Sequence, residues 1–124
     1  MPKPVAVDGD TTIETSTAKL AGDSNQTGQW QLMSSNIQKG QKLSVEGKLV
    51  ELSAQATWSY VGGTSGPTSV PVPPVPDTAM LMAGPTKLKD GGKGILVDGD
   101  EATGAVDSGN KITVSASQQK LSTD

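Results

Sequence analysis

The chain contains no cysteine, no histidine and no phenylalanine, and its aromatic residues are limited to Trp30, Trp58 and Tyr60. Without cysteine there can be no disulfide and no thiolate metal site, and cysteine usage says nothing about redox compartment. The lack of histidine removes histidine-activated Ser or Cys nucleophiles, histidine acid catalysis and ordinary zinc sites. With so few aromatics a large aromatic core is out of reach, so a thin core, or one completed by a partner, is expected. The opening residues MPKPVAVDGD hold no apolar run of the length a signal peptide or membrane helix needs. Synthesis in the cytoplasm without a signal peptide is therefore expected. Ten basic residues stand against thirteen acidic ones for a net charge of -3, which is not the basic footprint of a nucleic-acid binder.

What is present points to strands. A length of 124 residues suits one domain. A hydrophobic content of 33% with abundant Gly, Ser, Thr and Pro also fits disorder, but the small net charge and the recurring β-branched clusters favour a fold. In KLSVEGKLVELSAQATW (Lys42 to Trp58), apolar Leu43 and Val45 alternate with polar residues up to Glu46-Gly47, and Leu49, Val50 and Leu52 follow. That pattern predicts strand, tight turn, strand. In KITVSASQQKL, Ile112, Val114 and Ala116 repeat with a period of two, which predicts a strand with one buried face. The best helix candidate, around Ile37, is short and broken by Gly40.

The hairpin pattern is used more than once. QKLSVEGKLVEL from Gln41 and TKLKDGGKGILV from Thr86 match at one constant offset, pairing Lys42 with Lys87, Leu43 with Leu88, Gly47 with Gly92, Lys48 with Lys93, Val50 with Ile95 and Leu52 with Val97. Lys-Leu recurs at Lys19-Leu20 and Lys120-Leu121, and VDGD occurs at Val7 to Asp10 and again at Val97 to Asp100. Repetition at this spacing marks a fold assembled from equivalent β units, with chance matching of short stretches as the competing explanation. Between Gly62 and Ala79 five of the eight prolines are gathered. This composition disfavours ladder pairing and favours extended polyproline conformation. An ordered surface loop over about 62–79 is expected rather than a linker, because AMLMAG resumes an apolar run; a P-x-x-P ligand for an SH3-type domain is the weaker motif-based alternative.

Candidate chemistry is sparse. Asp8, Asp10 and Glu14, and again Asp98, Asp100 and Glu101, bring carboxylates together as calcium requires, without the spacing of an EF-hand loop. Asp-Gly-Asp is more simply a turn. A glycosidase-like carboxylate pair would need an aromatic-lined cleft that three aromatic residues do not supply. Lys48 and Lys93 follow glycines outside any phosphate-loop pattern and read as solvated hairpin lysines. Trp58 and Tyr60, two apart on one strand face, read as packing residues with a partner contact as the second use. No residue set supports an enzyme, and no cofactor or metal is expected.

KLSVEGKLVELSAQATW and TKLKDGGKGILVDGDEATG resemble the repeating units of PAAR and PAAR-like proteins, the tips of contractile injection machines such as phage tails, type VI secretion spikes and extracellular injection particles. The likeness covers mainly Gln41 to Trp58 and Met80 to Asp124, with VAVDGD as a fainter echo. It implies a small cone-shaped all-β domain of repeated hairpins with approximate threefold pseudosymmetry. One copy would cap the end of a trimeric β-helical spike, pierce the target envelope in transient contact with its membrane, and be able to carry an effector. The protein would be made in the cytoplasm, assembled into a phage-tail-like particle or spike, and delivered outside the cell. The family's apical metal, commonly held by histidines and a cysteine, has no ligands here, so no metal site is carried over. Contacts to the spike are expected from repeat positions and strand faces, namely Leu43, Val45, Trp58, Tyr60, Leu88, Ile112 and Val114. The runner-up reading is a small calcium- or carbohydrate-binding β module using Trp58 and Tyr60 or the VDGD turns.

Overall fold

The computed structural model describes residues 2–67, 70–84, 86–105 and 109–124. Among them are twelve strands: β1 (Lys3–Pro4), β2 (Thr11–Glu14), β3 (Gln29–Val45), β4 (Lys48–Val61), β5 (Thr64–Ser65), β6 (Val70–Pro71), β7 (Val75–Met82), β8 (Lys89–Asp90), β9 (Lys93–Gly94), β10 (Glu101–Thr103), β11 (Lys111–Val114) and β12 (Ser122–Thr123). The described residues contain no helix, and the protein is all-β. Ile37 and Gly40 lie within the long strand β3.

The two hairpins read from the sequence are present, in matching registers. Val45 pairs with Lys48 and Ser44 with Leu49 around Glu46-Gly47; Asp90 pairs with Lys93 and Lys89 with Gly94 around Gly91-Gly92. Each two-residue turn has both central residues at positive φ, 54° and 84° in the first, 63° and 81° in the second. This is the turn whose twist suits paired strands. A third unit of the same kind is split along the chain: Thr123 pairs with Lys3 and Ser122 with Pro4. The sequence KLSTD of its first strand and PKPVAVDGD of its second correspond to KLSVE…KLVEL and KLKDG…KGILVDGD. Val45, Asp90 and Thr123, at equivalent positions, are all buried.

Beyond the hairpins the three chain segments close a cycle. The amide of Ala6 donates to the carbonyl of Leu96 (2.8 Å), that of Leu96 to Glu51 (2.9 Å) and that of Glu51 to Ala6 (2.9 Å). These residues stand 45 positions apart, the offset that relates the two intact hairpins. Antiparallel bridges Val7 to Val50 and Val5 to Val97 join neighbouring segments. Because side chains alternate along extended backbone, the cycle separates two apolar clusters. Val5, Val7, Val50, Leu52, Ile95 and Val97 enter one, closed over by Val45 with Leu43, Leu88 and Leu121. Ala6 and Leu96 enter the other, where Trp30, Trp58, Tyr60, Leu81, Ile112 and Val114 lie.

That larger cluster is enclosed by two three-stranded sheets, ordered β3-β4-β7 and β10-β11-β2. From β4 the alternating Ala54, Ala56, Trp58 and Tyr60 supply the inner face. The proline-rich stretch differs from expectation. Thr64 and Ser65 pair with Pro71 and Val70, and β7 already begins at Val75, with Pro76 opposite Ser59. Ladder pairing survives because β7 borders its sheet, where a residue lacking an N–H is tolerated.

Candidate functional site

The three hairpin units present one surface built from equivalent residues. Leu43, Leu88 and Leu121 are half-buried on the smaller cluster, while the preceding Lys42, Lys87 and Lys120 are exposed. A second exposed set, Lys3, Lys48 and Lys93, opens the outgoing strand of each unit at the same 45-residue interval. Neighbouring units are tied through side chains in a repeating manner. The Asp90 carboxylate accepts from the amides of Lys42 (3.0 Å) and Leu43 (2.8 Å), and Thr123 Oγ1 accepts from the amide of Leu88 (2.9 Å). The amides of Leu43 and Lys42 hold the Asp90 carboxyl below the ordinary carboxylate range, against the opposing effect of burial. Val45, the equivalent apolar residue, cannot accept, and the amide of Leu121 is met instead by Gln118 Oε1 at 2.9 Å.

Gly40 is required by this junction. A Cβ there would overlap the Asp90 carboxylate and approach Val50 Cγ2 to 2.9 Å. Gly40→Ala should therefore displace Asp90 and cost about 1–3 kcal/mol, the usual range for overpacking. The check is a denaturant titration, with Gly22→Ala as a control because nothing lies within 4 Å of a Cβ at that position.

Glu51 is the anomaly in the cycle. It occupies the position equivalent to Ala6 and Leu96 and is fully buried. Its Oε1 accepts from Thr11 Oγ1 at 2.7 Å, while Oε2 has no partner. Burial, reinforced by Asp10 and Asp8 and opposed by the Thr11 hydrogen bond and Lys39, pushes its pKa above the ordinary 4.5. A raised folded-state pKa means that the folded protein holds the proton more tightly, so stability falls as pH rises. The contribution is full below pH 4.5 and is lost as pH climbs through the raised value. Glu51→Gln should remove this slope while keeping an acceptor for Thr11. Urea titrations of both proteins across this range should show the wild type losing stability relative to the variant as pH rises, and parallel curves would contradict the assignment.

The VDGD segments are turns with occupied carboxylates. Asp10 Oδ2 accepts from the Val7 amide (3.0 Å) and the Ser117 amide (3.1 Å). Asp100 Oδ2 likewise accepts from the Val97 amide (3.0 Å), and Asp98 Oδ1 accepts from Ala116 (2.9 Å). Gly9 and Gly99 take φ of 97° and 90°, as this turn requires. Among the described residues no three acidic side chains converge as a metal site would need.

Of the seven expected contact residues, Trp58, Tyr60, Val45, Ile112 and Val114 are buried, and the hairpin residues Leu43 and Leu88 alone reach the surface. The five serve the interior: Trp58 Nε1 donates to Thr15 Oγ1 at 3.1 Å, and Tyr60 packs edge-on against Trp30, ring centres 5.2 Å apart. The Tyr60 hydroxyl donates to Asp23, which also receives the amides of Gly28 (2.8 Å), Thr64 (3.1 Å) and Thr27 (3.2 Å). Burial alone would raise the Asp23 pKa, but the hydrogen bonds from Tyr60, Gly28, Thr64 and Thr27 outweigh it and hold the carboxyl far below the usual range. Sequence reading did not single out Asp23, Asp90 or Glu51, each of which has a partner 37 to 48 residues away in sequence. Lys3, the member of the lysine set that sequence reading did not join to Lys48 and Lys93, was visible in KPVAVDGD and KGILVDGD, which align over eight residues.

These features define an all-β domain organised on a closed cycle of three like hairpin units. No family model, curated protein or solved structure matches the chain.

Proposed function

We propose that this protein is a non-enzymatic tip of a contractile injection spike, of the PAAR-like kind, seated as one copy on the end of a trimeric β-helical spike protein. The observation that carries the reading is the hydrogen-bonded cycle through Ala6, Glu51 and Leu96, with a hairpin unit attached to each segment. A single chain meets a threefold partner on equal terms only by presenting three similar faces. These residues do so at a constant interval. Seating on a trimer would also cover strand edges at the spike end that otherwise invite aggregation. The mechanical role follows from the same arrangement: load carried through three equivalent contacts is shared along the axis, and the larger cluster beyond the cycle forms the leading body that meets the target envelope.

The test is co-expression with the trimeric β-helical spike protein encoded nearest to this chain, followed by size-exclusion chromatography with light scattering. One chain per trimer is the expected mass. Three chains per trimer, or separate elution, would contradict the proposal.

A further inference from the structure

The geometry points to the lysine-bearing hairpin surface as the seat on the spike, and to a ring of carboxylates on the end of the trimer as its partner. This inference rests on the spike-tip reading and adds to it the face used and the chemistry that recognises it.

Charge is strongly segregated in this chain. All ten basic residues are lysines, and seven of them, Lys3, Lys42, Lys48, Lys87, Lys89, Lys93 and Lys120, lie in the three hairpin units. Counted from each Lys-Leu to the lysine that opens the outgoing strand (42–48, 87–93, and 120–124 with Lys3), these arms contain three carboxylates, Glu46, Asp90 and Asp124. Asp90 is buried and spent on amides of the neighbouring unit. Glu46 is paired with Lys120, and Asp124 with Lys87 at 3.8 Å. Lys3, Lys48 and Lys93 appear in none of the four ion pairs found among the described residues. The remainder of the chain has ten acidic residues against three lysines, so the lysines of a net acidic protein are concentrated in these arms, with Asp100 and Asp124 lining a hollow beside Lys3.

The basic groups also have the right arrangement. Lys3, Lys48 and Lys93 are related by the interval that relates the members of the hydrogen-bonded cycle, and each opens the outgoing strand of its unit. Half-buried Leu43, Leu88 and Leu121, packed on the smaller cluster, belong to the same three units, so apolar and basic groups are both available there, as in many association surfaces. Between the first and second units a hollow of about 240 Å³ is lined by Lys42, Lys93, Lys39, Gln38 and the amide-bound Asp90, large enough for an acidic side chain of the partner. A homotrimer whose end presents one exposed Asp or Glu per subunit would meet each lysine once. Such charges act mainly on encounter rate and orientation, and their effect weakens with salt.

The experiment measures binding of the same spike trimer to four versions of the full-length chain by surface plasmon resonance. These are the wild type, the triple reversal Lys3→Glu/Lys48→Glu/Lys93→Glu, the neutral triple Lys3→Gln/Lys48→Gln/Lys93→Gln, and a control, Glu14→Lys/Glu101→Lys, on the other sheet. Far-UV circular dichroism and melting establish that each is folded; because the lysines are exposed, the neutral triple keeps the test available if the reversal is poorly folded. The reversal should weaken binding on the order of 100-fold, the neutral triple by about 10-fold, and wild-type binding should weaken as salt rises. The control should bind like the wild type. A folded neutral or reversed triple that binds within about twofold of wild type, or wild-type binding indifferent to salt, overturns the assignment of this face while the spike reading stands. If the wild type itself fails to bind the trimer, the spike reading fails and takes this surface with it.

Discussion

Trp58→Ala should lose about 3–5 kcal/mol of stability, the range for deleting a fully buried large aromatic side chain. Small domains are stable by only about 5–15 kcal/mol in total, so the variant should lose a large share of its stability. The reason lies in the composition of the larger cluster. Its other members on the same strand face are Ala54, Ala56 and Tyr60, and Ala79 faces them from β7. The alanines among these neighbours carry no side chain that could extend into the void. The substitution also leaves Thr15 Oγ1 without its donor, Trp58 Nε1. Guanidinium titration followed by circular dichroism gives the free energy directly, and a loss below about 1 kcal/mol would show that the cluster repacks in a way this structure does not allow.

Ile95→Ala is the second large effect, expected at about 2–5 kcal/mol. Ile95 is fully buried in the smaller cluster, as are Val50 and Val5 at the equivalent positions of the cycle. The informative comparison is among the three. If the units are equivalent, Val5→Ala and Val50→Ala should cost the same as one another, each about 1.5–3 kcal/mol from the lost burial, although one residue lies near the chain's first described strand and the other inside the longest hairpin. The double variant Val5→Ala/Val50→Ala should be non-additive, because both line one cavity. Unequal single costs, differing by more than about 1 kcal/mol, would mean that the three segments do not share one packing environment.

At low pH the buried acids set the opposite slope to Glu51. Asp23 and Asp90 have lowered folded-state pKa values, so their contribution is present above the ordinary 3.8 and is lost as pH falls below it. Stability should therefore pass through a maximum between the loss of these two on the acid side and the loss of the Glu51 contribution on the alkaline side.

How much of this was legible beforehand depends on how local the signal is. Glu46-Gly47 and Gly91-Gly92 each sit between alternating strands, so both hairpins and their shared interval could be read from a dozen residues. The third unit is assembled from Ser122–Thr123 and Lys3–Pro4, with no turn sequence between them, and a pattern confined to neighbours cannot show it. The same limit explains the contact residues. Period-two alternation identified an inward face at Trp58, Tyr60, Ile112 and Val114, but it does not say what covers that face. Here the chain covers it, with β2, β7, β10 and β11. Prolines were misjudged for a related reason: Pro76 is compatible with β7 only because that strand is at a sheet border, a property of topology rather than composition. Glu51 occupies an apolar site that two aliphatic equivalents, Ala6 and Leu96, fill elsewhere, and nothing in KLVELS marks that glutamate as interior.

The cycle through Ala6, Glu51 and Leu96 joins the fold to the proposed function, and its three amides can be observed individually. Native-state hydrogen exchange of these amides by NMR is the direct measurement. If the cycle is closed, all three should exchange only through global unfolding, with one common free energy that drops together in Ile95→Ala. Exchange of any one of them through a separate local opening, with the other two still protected, would contradict a closed three-unit cycle and remove the reason for one chain to cap a trimer.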